Sequence, residues 1–251
     1  MRRFFYWYLP LLAALIAAGI FGYGLVSWLR GDTGSVVDVA PRAVQSSAPS
    51  AKIVPVIMGD SLARGTGDES GLGIGGRLVD DLKHRSIPAQ RAINLAVDGA
   101  RTADLLQRLQ SHNVLEVAAQ SNVIIVSIGG NDLWGGTDWR NAPPRDPDAV
   151  MTRVLANIET IVKTLRGASP AARIFIIGLY NPFISTPNGA MLTPLVLRWN
   201  ARMTEQFAGD ANVVVVPTAD LFAYHDRLSP DRFHPSGEGY ALIARRIADS
   251  F

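Results

Sequence analysis

Five short apolar runs divide most of the chain: 53–58, 91–97, 122–128, 173–179 and 212–216. They are rich in Val and Ile and nearly continuous rather than alternating, the pattern of strands buried on both faces. Stretches with helical spacing lie between them and after the last, at about 72–86, 102–120, 147–167, 194–208 and 236–249. Helix starts are predicted at Thr102, at Asp146 or Asp148, at Thr193 with Pro194, and at Ser236. Strand and helix alternate, which predicts an α/β fold with an open, mostly parallel five-stranded sheet and helices on both faces. Active sites in such sheets form outside the carboxyl ends of the strands.

The amino terminus has a different pattern. From Phe4 to Leu29 there is no charged residue, and Leu, Ala, Ile, Phe, Tyr and Trp dominate. A bilayer takes roughly 20 apolar residues, so residues 1–30 are predicted to form one transmembrane signal-anchor. Tyr6, Trp7 and Tyr8 at one end and Trp28 at the other would be its interfacial anchors. Arg2 and Arg3 favour a cytoplasmic amino terminus, although Arg30 weakens the asymmetry. A cleaved signal peptide is the alternative, but its apolar core is usually shorter, about 7–15 residues. Residues 31–51 hold Ser, Pro, Ala, Gly and Val without a helical period and read as a flexible tether. The globular domain is therefore placed at 52–251. A bacterial cytoplasmic membrane would carry the chain, with this domain extracytoplasmic, in the periplasm or at the cell surface.

Charge and composition narrow the chemistry. Of 251 residues none is cysteine, so disulfides, thiolate metal sites, lipoprotein acylation and a cysteine nucleophile are closed. The pI of about 9.1 suggests a basic protein. Three arginines lie in residues 1–30, however, and removing them from the 24 basic residues leaves 21 against 22 acidic ones, a net of −1 over 31–251. No Lys/Arg stripe of the kind that nucleic acid requires is visible. The histidines are scattered, without the spacing of a metal site.

Polar and glycine residues fall at the predicted strand ends. Gly59-Asp60-Ser61-Leu62 follows the first strand, Asp98-Gly99 the second, Gly129-Gly130-Asn131-Asp132 the third and Tyr180-Asn181-Pro182-Phe183 the fourth. Asp231-Arg232-Phe233-His234 precedes the last helix. An ester hydrolase needs a nucleophile, a base and a group that orients the base. Ser61 offers the hydroxyl, although a serine at such a turn often only caps a helix. His234 is the best-placed base: His84 and His112 fall in solvent-facing helical positions, and His225 in a polar connection. Asp231, three residues earlier, can hold its imidazole; Asp98 and Asp226 compete for that task with poorer spacing. The N–H of Ser61, the N–H of Gly99 and the side-chain amide of Asn131 can point donors at one oxyanion. Asp60 and Asp132 are expected to cap and brace the loops.

These four blocks, in this order over essentially all of 53–249, resemble those of the SGNH (GDSL-type) hydrolases. The resemblance implies a flavodoxin-like three-layer α/β/α sandwich, a Ser61–Asp231–His234 triad and an oxyanion hole from Ser61, Gly99 and Asn131. The Tyr180–Phe183 turn further resembles a bacterial membrane-anchored lipase/acylhydrolase branch. The expected activity is hydrolysis of a carboxylic ester through an acyl-enzyme on Ser61, without a cofactor or metal. The acyl ester substrate would be a lipid or an acetylated glycan. The alternatives are an O-acetyl esterase acting on cell-envelope carbohydrate and a tethered binding module of the same fold without activity.

Gly71-Leu72-Gly73-Ile74-Gly75-Gly76 matches G-x-G-x-x-G but does not directly follow a strand, so it reads as close-packing glycine at a helix entry. The segment from Leu133 to Asp148 is long and rich in Gly and Pro. It is expected to be a loop beside Asn131 whose Trp134 and Trp139 contact substrate, or else simply pack on the surface.

Overall fold

The computed structural model describes residues 2–29, 52–134, 146–186, 189–223 and 225–251. The chain forms two units, Met1–Ser46 and Ser47–Phe251. The first carries α1, a helix of 28 residues over Arg2–Leu29. Its side chains are described at position 8 and over 11–26, and nearly all of these are exposed. Among the described residues, no helix is long and apolar enough to cross a membrane. The membrane-spanning reading of residues 1–30 thus rests on the sequence, and the tether at 31–51 lies outside the described residues.

The second unit runs β1 (Pro55–Gly59), α2 (Ser61–Arg64), α3 (Gly73–His84), β2 (Ile93–Asn94), α4 (Thr102–Arg108), α5 (His112–Ala119), β3 (Val123–Ser127) and α6 (Gly130–Trp134). It continues through α7 (Pro147–Ala168), β4 (Arg173–Ile177), α8 (Thr193–Phe207), β5 (Val213–Val216) and α9 (Gly237–Ala248). The five strands form one sheet in the order β2-β1-β3-β4-β5, every pair parallel.

Successive side chains on a strand point to opposite faces, and the two cores follow that rule. Val56, Met58, Ile124, Val126, Ile174 and Ile176 pack on one face with Leu105, Ile158, Ile161, Trp199 and Met203 from α4, α7 and α8. Ile57, Ile125, Phe175 and Ile177 pack on the other with Leu78, Leu82, Tyr240 and Ile247 from α3 and α9. The β-branched runs are therefore continuous because both faces are covered, and the second unit is the expected three-layer sandwich.

Two expectations change. The 91–97 run forms only a two-residue strand, and it is exposed rather than buried on both faces. It is an edge strand, and Asn94 turns its amide to the carbonyl oxygens of Ala63 and Arg64 at the end of α2. The single helix expected over 102–120 is two helices, because Ser111 adopts an extended conformation (ψ 127°) between them. Leu105 and Leu109 before the break and Ala118 after it still bury in the same core.

The end of β1 sets the position of everything that follows. Gly59 has φ +132°, and a Cβ there would stand 1.7 Å from the Ser127 carbonyl oxygen. Only glycine lets β1 and β3 stay this close while the chain turns. The N–H of Asp60 then donates to that same carbonyl at 2.9 Å. The chain leaves the sheet at the point where its strand order reverses, between β1 and β3, which is where open α/β sheets place a crevice.

Candidate active site

Ser61 is the first residue of α2, and the cap of that helix is Asp60, whose Oδ1 accepts the Leu62 N–H at 3.1 Å. The capping task that competes for a serine at such a turn is thus done by its neighbour. The Ser61 hydroxyl is left to bond His234 Nε2 at 2.9 Å. As a first-turn residue, Ser61 also has a backbone N–H with no acceptor inside its helix.

His234 arrives on a short clasp between the 3₁₀ turn His225–Arg227 and α9. The clasp is closed by Ser229 N–H on the His234 carbonyl oxygen at 2.8 Å and by Ser236 N–H on that of Arg227 at 2.8 Å. Ser236 also caps α9, accepting the Gly239 N–H. Within the clasp, Asp231 Oδ2 lies 2.6 Å from His234 Nδ1. Asp231 Oδ1 accepts the Ser229 hydroxyl at 2.7 Å and the N–H groups of Phe233 and His234 at 2.8 and 2.9 Å. Partial burial pushes the Asp231 carboxyl up. The hydrogen bonds from His234, Ser229 and the two backbone N–H groups outweigh it and hold the group at about 2. Tyr180 reaches across from the end of β4 and donates its hydroxyl to the Phe233 carbonyl at 2.7 Å, which ties the clasp to the sheet.

The competing candidates lie elsewhere. Asp98 accepts the Thr66 hydroxyl at 2.9 Å and pairs with Arg64 at 3.3 Å. Asp226 is exposed on the 3₁₀ turn. His84 and His112 are exposed, and the side chain of His225 lies outside the described residues.

Asn131, in α6, lines the cleft beside Ser61. Its Nδ2 donates to the Ala100 carbonyl at 3.0 Å, which leaves one of its two N–H groups for another acceptor. Gly99, next to Ala100, has φ +74° and nothing within 4 Å of where a Cβ would stand. It precedes the residue whose carbonyl Asn131 holds, but it is not among the residues that line the cleft. Asp132 braces the entry of α4 as expected, accepting both the N–H and the hydroxyl of Thr102 at 2.9 and 2.8 Å.

Asp60 itself is buried and lines the cleft. Burial pushes its carboxyl up to about 7, against the pull of hydrogen bonds from Ala63, Leu62 and Ser127. Trp134 is buried, not a surface loop residue, and its ring meets Phe183 edge-on at 5.5 Å. Phe183 stacks on Phe233 at 5.8 Å, and Phe233 meets the His234 ring at 4.9 Å. Trp139 lies outside the described residues. Sequence reasoning missed Ser229, Phe233 and Leu179 as parts of this site. A polar residue two positions before Asp231 and an apolar one just before His234 were the available signals for the first two.

The glycine-rich run 71–76 enters α3, where Gly65 and Gly73 approach so closely that a Cβ on Gly65 would stand 2.8 Å from the Gly73 Cα. Asp68 holds this entry through Arg77, at 2.8 Å from both Nε and Nη2, and through the Gly73 N–H. Among the described residues, no group of three or more His, Asp or Glu side chains is placed to hold a metal ion.

Comparison with known proteins bears on the fold and the family. The uncharacterized protein YpmR of Bacillus subtilis (strain 168) is 29% identical over 206 residues, 78% of this chain and 80% of that protein. Among solved structures, the lipase Lip_vut3 from a goat rumen metagenome superposes with a TM-score of 0.67 at 20% identity, covering 79% of this chain and 97% of that one. Axe2, an acetylxylan esterase from Geobacillus stearothermophilus, gives 0.57 at 20% identity, covering 79% and 95%. At such identities these two speak for the fold. The GDSL-like Lipase/Acylhydrolase family matches residues 57–242. That match starts within β1, ends within α9 and takes in the serine turn, the cleft and the histidine clasp, so the chain belongs to the GDSL-like lipase/acylhydrolase family.

Proposed function

We propose that this protein is a serine hydrolase of carboxylic esters, held at the bacterial cytoplasmic membrane by its amino-terminal helix with residues 52–251 on the extracytoplasmic side. The observation that carries the chemistry is the chain of two short hydrogen bonds from Ser61 Oγ through His234 to Asp231. His234 Nε2 takes the Ser61 proton as the hydroxyl oxygen attacks the ester carbonyl, and Asp231 supports the imidazolium that forms. The free N–H of Ser61 and the remaining Asn131 N–H, both on the cleft, hold the oxyanion. The alcohol leaves with the proton from His234. Water activated by the same imidazole then releases the acid. An inactive binding module would have no use for an aligned serine, imidazole and carboxylate. The intact alignment favours catalysis, and a fluorophosphonate probe tests it. Labelling should fall on Ser61 and be absent in Ser61→Ala; an unlabelled wild-type protein that is folded would refute the reading.

The location draws on the charge-free run from Phe4 to Leu29, and on the exposure of Leu15, Ile20 and Phe21 along α1 at 62%, 69% and 75%. Apolar side chains this exposed along one helix need a covering phase. A reporter active only outside the cytoplasm, fused after Phe251, should be active. A fusion that works only as a cytoplasmic reporter would reverse the orientation.

A further inference from the structure

The proposed ester hydrolysis leaves the acyl group open, and the cleft limits it. The cleft beside Ser61 is floored by the sheet itself: Asp60 follows β1, Ser127 ends the neighbouring β3, and Gly178 follows β4 beyond it. A buried carboxyl and a hydroxyl at the floor are poor company for the methyl end of a long chain. The walls are Trp134, Leu179, Tyr180 and Phe233. They are not free to swing away. Trp134 is 6% exposed and locked edge-on against Phe183, while Tyr180 is 7% exposed and bonded to the Phe233 carbonyl. A chain that can extend neither past the polar floor nor between fixed walls is a short one.

We propose, on the strength of the hydrolase reading above, that this protein acts on esters of short acyl groups, acetyl to butyryl, and that Trp134 and Leu179 set that limit by walling the acyl slot. Each methylene that finds apolar room adds about fourfold to kcat/KM, so a slot that accepted a fatty chain would favour octanoate over butyrate by about two orders of magnitude. A slot that ends at butyrate reverses the trend.

The test is kcat/KM of the full-length protein, in a mild detergent, on p-nitrophenyl esters from acetate to dodecanoate. The expected profile rises to butyrate at most and is at least about tenfold lower at octanoate. Trp134→Ala should raise the octanoate-to-butyrate ratio by about tenfold or more, and Leu179→Ala, which opens the same slot from the β4 side, should do likewise should the tryptophan variant not fold. Equal or greater turnover of octanoate by the wild-type protein would overturn the short-acyl assignment and leave the hydrolase reading standing. An unchanged ratio in both folded variants would overturn the role of the two walls. No turnover of any ester, with Ser61 unlabelled by the fluorophosphonate probe, would overturn both.

Discussion

Ser61→Ala is expected to lower kcat on any ester substrate by about 10⁴- to 10⁶-fold, about 5–8 kcal/mol of lost transition-state stabilisation, with Tm almost unchanged. The two halves of this expectation come from the same geometry. The Ser61 hydroxyl contributes one hydrogen bond, to His234 Nε2, and the cap of α2 is Asp60. Alanine has the highest helix propensity of any residue, so α2 keeps its first turn. The carbonyl oxygen of Ser61 goes on accepting the N–H groups of Gly65 and Thr66. A loss of activity by unfolding would have to come from some other bond, and among the described residues this hydroxyl makes no second hydrogen bond. Residual turnover over water is expected from the oxyanion donors and from His234 acting on water. Measured kcat within about tenfold of wild type would remove Ser61 as the nucleophile.

Much of this arrangement was legible in the chain because its signals are local. The continuous Val/Ile runs mark strands covered on both faces, and four of the five are so covered. The fifth, 91–97, lies at the edge of the sheet, where Ile93 and Asn94 pair with β1 alone and stay exposed; nothing within seven residues reveals that edge position, nor that the Asn94 side chain will hold α2 about 30 positions away. Ser61 and Asn131 were visible at strand ends, where turn residues interrupt apolar runs, and Asp231 with His234 just before the last helix. Tyr180 bonding to Phe233 joins residues 53 apart, and Asn200 holding both the N–H and the carbonyl of Leu179 joins residues 21 apart. Such ties carry no sequence period, so the frame of the cleft emerges only in three dimensions. Trp134 was read as a loop aromatic because glycines follow it, yet its edge-on contact with Phe183 makes it part of a core.

Asp231→Asn should cost about 10⁴-fold in kcat/KM, far more than the loss of a partly exposed ion pair would suggest. The reason lies in which oxygen is already engaged. Asp231 Oδ1 accepts three donors, the Ser229 hydroxyl and the N–H groups of Phe233 and His234. An asparagine must keep its carbonyl oxygen there, since its NH₂ turned that way would oppose those donors. Its NH₂ is then forced to face His234 Nδ1, the atom that Oδ2 now meets at 2.6 Å. An NH₂ there requires Nδ1 to accept, which moves the ring proton to Nε2. A protonated Nε2 cannot take the proton of Ser61. The variant therefore fails by tautomer while the clasp stays closed, and Ser61 should still be placed where the wild-type serine is. Acid stability separates this from a folding defect. The Asp231 carboxyl is held at about 2 against 3.8 unperturbed, so its contribution to stability is present above about 3.8 and is lost as pH falls through about 2. That contribution is small because the side chain is 44% exposed and water screens it. At neutral pH the Asn variant should accordingly melt close to the wild type, and below about pH 4 it should lose less stability on further acidification. A variant that melts far earlier at neutral pH, or one that keeps more than about a tenth of wild-type kcat/KM, would show that Asp231 does not orient His234.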